Sequence, residues 1–208
     1  MKKQEILNCI RNEKIVAIVR LKEQKEVAPL VKELIESDIK LLEITSNTPG
    51  FSAEISKAKI LYPNILIGAG TVTNPSIAEE AIAAGAQFLV TPNVNIDVIQ
   101  IAHKNDIPVL MGAMTPTEIC TAVENGADLI KLFPAGNLGV DYFKSIKSVM
   151  NNVDFIAVGG INLSNLEEWL AAGVFGVGLG SALTKLDKDK NTNIKKVVLE
   201  YIKLIKQQ

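Results

Sequence analysis

The sequence predicts an α/β fold: a (β/α)8 TIM barrel with an extra N-terminal helix, in one domain spanning residues 1–208. Three observations predict it. Eight short runs rich in Val, Ile and Leu recur at intervals too long for hairpins. Segments of helical periodicity lie between them, the pattern of parallel strands covered by helices and not of a half-solvated antiparallel sheet. Residues with chemical character stand at the C-terminal ends of most runs; a closed barrel gathers such ends at one mouth, where an open doubly wound sheet scatters them.

In chain order, a helix over residues 2–13 is expected to cover the bottom of the barrel. The first strand is IVAIV from Ile15, and Val27, Leu30, Val31, Leu34 and Ile35 mark the buried face of the helix after it. KLLEIT from Lys40 and ILIGAG from Ile65 follow, and then Asn74-Pro75-Ser76, which reads as a helix start. QFLVTP from Gln87 leads to a helix carrying Ile96, Val98, Ile99 and Ala102. The remaining runs are IPVLMG from Ile107, DLIKLF from Asp128, DFIAVGG from Asp154 and VFGVGLG from Val174, and a last helix is expected from about Thr192 to Lys206. Gly85, Gly126 and Gly173 each stand just past a helical segment, where a left-handed residue closes the helix and turns the chain into the next strand.

Composition narrows the function. Lys+Arg 22 against Asp+Glu 23 gives a net charge of -1, so neither nucleic acid nor an anionic membrane is an expected partner. Cys9 and Cys120 lie far apart in helical patterns and read as reduced, buried thiols of a cytoplasmic chain. Polar residues from Glu5 to Glu13 break any signal-peptide core. No apolar run approaches the roughly 20 residues that span a bilayer.

Lys131 is the sharpest chemical feature, lying inside Leu129-Ile130-Lys131-Leu132-Phe133-Pro134. An ammonium held among apolar strand residues is costly unless its pKa falls, and the resulting free amine can condense with a ketone to form an iminium electron sink. The alternative is a structural lysine that pairs with a carboxylate or reaches the rim. Glu43 interrupts Leu41-Leu42-Glu43-Ile44 in the same way. In a shared lumen it can shuttle protons beside Lys131; the alternative is a buried ion pair without chemistry.

Val158-Gly159-Gly160-Ile161 and Gly178-Leu179-Gly180-Ser181 end the seventh and eighth strands, where barrels build phosphate sites from backbone N–H groups. Arg20 at the end of the first strand is the natural anion clamp, and the Thr71 hydroxyl in Gly68-Ala69-Gly70-Thr71 is suited to a carboxylate. Pro92 and Phe133 are candidates for an apolar wall or for core. No metal is expected: the sole histidine, His103, falls late in a helical pattern, and no cluster has ligand spacing. A glycine string of the dinucleotide type is absent, and the chemistry is read as cofactor-free.

Taken together with Ala17-Ile18-Val19-Arg20, Leu42-Glu43-Ile44-Thr45 and Val90-Thr91-Pro92-Asn93, these strings resemble the KDPG/KHG aldolase family over nearly the whole chain. The resemblance implies a class I aldolase, a homotrimer, with Lys131 as the Schiff-base lysine and Glu43 as the proton-transferring acid. It implies that Arg20 and Thr71 contact substrate and that Gly159, Gly160, Ile161, Gly180 and Ser181 hold its phosphate. The expected partners are pyruvate and a phosphorylated 2-keto-3-deoxy sugar acid. Asn47 stands where gluconate-type members usually carry Arg, which is closer to the 6-phosphogalactonate branch; Met111 stands where relatives often have Pro. The rival readings are a phosphate-binding barrel isomerase or synthase without a covalent intermediate, and a catalytically silent sugar-phosphate sensor.

Overall fold

The computed structural model describes residues 1–184 and 193–207. Eight parallel strands close in sequence order: β1 (Ile15–Val19), β2 (Leu41–Thr45), β3 (Leu66–Gly70), β4 (Leu89–Val90), β5 (Val109–Ala113), β6 (Leu129–Leu132), β7 (Phe155–Val158) and β8 (Gly176–Leu179), with β8 pairing back onto β1. The predicted barrel is the observed one. Around it run α2 (Val27–Glu36), α3 (Phe51–Leu61), α4 (Pro75–Ala83), α5 (Ile96–Lys104), α6 (Pro116–Glu124), α8 (Val140–Val149), α9 (Leu166–Ala171) and α11 (Ile194–Lys206). Two one-turn helices, α7 (Ala135–Leu138) and α10 (Ser181–Thr184), follow β6 and β8. The last helix starts at Ile194; Thr192, where it was expected to begin, lies outside the described residues.

Local chemistry explains the boundaries. Asn74 and Asn95 cap α4 and α5 by accepting N–H bonds from Ile77 and Val98, and Thr115 with Glu118 forms a capping box on α6. Gly85, Gly126 and Gly173 leave their helices at φ 94°, 90° and 95°, the left-handed turn the sequence called for.

Strand β4 is shorter than QFLVTP suggested. The Thr91 hydroxyl accepts the Gly112 N–H at 2.8 Å and bonds the Asn93 carbonyl at 2.7 Å, and Pro92 has no N–H to offer, so the ladder stops at Val90.

Two apolar layers result. One lies between barrel and helices, and the other fills the barrel, where Val16, Leu41, Leu66, Phe88, Leu110, Leu129 and Ile156 pack with Ile6, Leu7 and Ile10 of α1 (Lys3–Glu13). The N-terminal helix therefore closes the bottom as expected, each buried side chain contributing about 1.5–3 kcal/mol. Polar ties fasten it: Lys3 Nζ lies 2.9 Å from Asp128, which also bonds His103 of the last turn of α5 at 2.8 Å. Gly176 is required here, since a Cβ would stand 2.5 Å from the Lys14 carbonyl.

The cysteines correct the sequence reading. Both are free, but Cys9 is half-buried and Cys120 exposed, because α6 turns the neighbouring Ile119 and Ala122 inward instead. Among the described residues no helix is long and apolar enough to cross a membrane, and no group of three His, Cys, Asp or Glu side chains is placed to hold a metal ion.

Candidate active site

Side chains alternate along a strand, so the inward set that begins with Leu41 continues to Glu43, and that of Leu129 continues to Lys131 and Phe133. Register places Glu43 between Ile18 and Gly68, and Lys131 between Gly112 and Ile156. Glycine makes the room. A Cβ on Gly70 would collide with the Glu43 carboxylate, and one on Gly112 would strike the Thr91-Pro92 backbone.

Lys131 and Glu43 are 3% and 2% exposed, so both are almost wholly removed from solvent. Burial pushes the Lys131 amine below its usual pKa; the Glu43 carboxylate pulls it partly back, and Arg20 adds to the lowering. Burial raises the Glu43 carboxyl, against the opposing pull of Lys131 and Arg20. Glu43 Oε1 has no hydrogen-bond partner, a rare condition for a buried carboxylate oxygen. The Lys131 ammonium position lies 5.0 Å from the centroid of the Phe133 ring.

A cavity of about 290 Å³ opens at the C-terminal ends of the strands, lined by Ile18, Arg20, Lys131, Phe133, Val158, Gly159, Gly160, Ile161, Gly178, Gly180, Ser181 and Thr184. Gly159 and Gly160 adopt φ 89° and 80° and pack on Gly136, whose N–H donates to the Gly159 carbonyl at 2.7 Å. Arg20 donates to the Thr71 hydroxyl at 3.1 Å. Thr71 itself holds φ 58°, a left-handed conformation uncommon for a β-branched residue. Ser46 braces it, donating from its hydroxyl to the Thr71 carbonyl at 2.7 Å and from its N–H to the Gly70 carbonyl at 2.8 Å.

The structure thus brings Lys131, Arg20, Phe133, Gly159, Gly160, Ile161, Gly180 and Ser181 to one cavity. Glu43, Thr71 and Pro92 are not in its wall: Glu43 lies behind it within reach of the Lys131 and Arg20 charges, Thr71 joins through Arg20, and Pro92 lies across Gly112. Asn47 sits exposed on the turn after β2, away from the cavity wall. Sequence reasoning gave no individual role to Ile18, Val158, Gly178, Thr184 and Ser46, naming Val158 and Gly178 only within the two glycine strings. The first three were within its reach, because each lies two residues before an inward position already named. Thr184 rides a one-turn helix, and Ser46 lies past the strand end, where alternation no longer gives direction.

The KDPG and KHG aldolase family model matches residues 6–199, which span all eight strands and every residue of the cavity wall. The chain belongs to that family. A 2-dehydro-3-deoxy-6-phosphogalactonate aldolase from Escherichia coli (strain K12) is 36% identical to it over 81% of this chain and 83% of its own. A solved native KDPGal structure shares 32% identity at TM-score 0.83, covering 93% of this chain and 94% of that one. A KDPG aldolase from Legionella pneumophila, solved with pyruvate captured at low pH as a covalent carbinolamine intermediate, shares 30% identity at TM-score 0.81 over 92% and 94% of the two chains. The chain is accordingly a class I aldolase, a lyase.

Proposed function

We propose that this aldolase reversibly cleaves 2-dehydro-3-deoxy-6-phosphogluconate, or its galactonate epimer, to pyruvate and glyceraldehyde 3-phosphate, with 4-hydroxy-2-oxoglutarate as a further substrate. One observation carries the reading: a dehydrated amine lines a cavity that glycine backbone also lines, and an unpartnered buried carboxyl group stands behind it in the field of that amine.

Lys131 attacks the C2 ketone and, with loss of water, gives the iminium. Glu43 takes the proton of the C4 hydroxyl, the C3–C4 electron pair moves into the iminium, and glyceraldehyde 3-phosphate leaves. Protonation of the enamine at C3 by Glu43 and hydrolysis then release pyruvate and restore the amine. Arg20, with the Thr71 hydroxyl bonded behind it, holds the carboxylate, and Phe133 walls the apolar side, with Pro92 packed across Gly112 behind the cavity. Gly159, Gly160, Ile161, Gly180 and Ser181 receive the phosphate through backbone N–H groups and a hydroxyl. Anchors at both ends of the substrate set the C4 hydroxyl against its base. The 36% identity with a phosphogalactonate aldolase supports that epimer. Residues 1–208 act as one domain in a cytoplasmic homotrimer.

Mass spectrometry after borohydride reduction with pyruvate tests the covalent step, and an unmodified Lys131 overturns it. Cleavage rates of the two C4 epimers, followed by pyruvate release, decide between them; the galactonate epimer is expected to be the faster.

A further inference from the structure

We infer that Ser46 is a positioning residue that sets the carboxylate clamp of the substrate by holding Thr71 in its left-handed conformation. The inference rests on the aldolase reading above. Thr71 at φ 58° has no glycine's freedom, so something must keep it there. Ser46 grips both sides of the strained link: its N–H donates to the Gly70 carbonyl at 2.8 Å and its hydroxyl to the Thr71 carbonyl at 2.7 Å. Beyond it, Val72 donates to the Val90 carbonyl at 3.1 Å, which ties down the far end of the turn. Between these two anchors the Thr71 hydroxyl is aimed at Arg20, 3.1 Å away.

Ser46 also stands three residues beyond Glu43, just past the end of the same strand, and Gly70, whose carbonyl it holds, is the residue against which the Glu43 carboxylate rests. The strand that carries the acid therefore fixes the clamp as well. Loss of the hydroxyl frees the Thr71 carbonyl, lets its backbone relax toward the extended region and draws the side chain away from Arg20.

The test is borohydride trapping of pyruvate on Lys131 across a pyruvate titration. Ser46→Ala is expected to raise the half-saturating pyruvate concentration about fivefold, the size of one lost hydrogen bond, while the limiting trapping rate changes by less than about twofold. Ser46→Thr, which keeps the hydroxyl, restores half-saturation, and Ser46→Cys, a weaker donor, falls between the two. On a Thr71→Ala background, removal of the Ser46 hydroxyl adds less than about twofold, because the side chain it positions is gone. Unchanged half-saturation in Ser46→Ala, or a full additive effect on the Thr71→Ala background, overturns the inference alone. Absence of any adduct in the unsubstituted protein overturns the aldolase reading and this inference with it.

Discussion

The two ends of the barrel interior are built by the same eight strands under the same alternation, yet they hold opposite chemistry. At the bottom, Leu41, Leu66, Phe88, Leu110 and Leu129 fill the lumen and α1 seals it. One inward position further along, β2 carries Glu43, β3 Gly68, β5 Gly112 and β6 Lys131. The lower layer excludes water from below, and the glycines above make way for their neighbours, Gly68 for the Phe88 ring and Gly112 for the Thr91-Pro92 backbone. The difference teaches that Lys131 draws on both ends: the dry floor helps to push its amine below the ordinary pKa, and the cavity above gives that amine a way to a ligand.

The contrast breaks most sharply at Lys131. Lys131→Ala is expected to reduce pyruvate release by more than about 10⁴-fold while the barrel stays folded, because the lost desolvation penalty of the amine offsets the loss of counter-charge at Glu43, which can take up a proton. A large fall in melting temperature would mean that the lysine is structural. Glu43→Gln follows, with a loss of between about 10² and 10⁴-fold in turnover. Its sign on the amine is fixed: Glu43 raises the Lys131 pKa, so its neutralisation lowers that pKa further, and the acid limb of the pyruvate-trapping profile moves to lower pH. A limb that moves to higher pH would contradict the placement of the two groups in one field.

At the bottom the expected currency is stability. Phe88→Ala removes a fully buried ring packed beside Gly68 and is expected to destabilise by roughly 3–5 kcal/mol in chemical denaturation, with turnover at low temperature within tenfold of the parent. A small stability loss with a large loss of turnover would show that the two layers do not divide their tasks in this way.

How far the sequence disclosed this division depended on periodicity. Lys131 and Glu43 stood out as charges inside the apolar runs LIKL and LLEIT, but that both face one lumen is what the closed register adds. The end of β4 was not readable, because it depends on what the Thr91 hydroxyl bonds across the strand pair. Ser46 and Asn47 were harder still. Beyond a strand end no repeat assigns direction, so nothing in the string ITSNTP says that the serine turns toward Thr71 while the asparagine faces solvent. The exposure of Cys120 was missed for a related reason: on a helix of mixed polarity, an apolar-looking neighbour of Ile119 need not share its face.

The smallest effect compares two acids at the same mouth. Glu118, just beyond β5, is held below the usual carboxyl range chiefly by the Thr115 N–H, with the Met114 N–H and the Thr115 hydroxyl assisting, against a smaller desolvation effect. Glu43 is raised by burial. A depressed acid stabilises the fold above its unfolded value near 4.5, and that contribution disappears as pH falls through its folded pKa. A raised acid acts the other way, because the native state binds the proton more tightly and stability declines as pH climbs above 4.5. Glu118→Gln is therefore expected to destabilise by about 0.5 kcal/mol at neutral pH, at the low end for a cap because the rim faces solvent, and to match the parent in acid. Glu43→Gln should instead gain on the parent as pH rises. Thermal melts of the three proteins from acid to neutral pH read both differences directly. Two curves of the same sign would show that the acids share one environment, and the distinction between the solvated rim and the dry interior would fail.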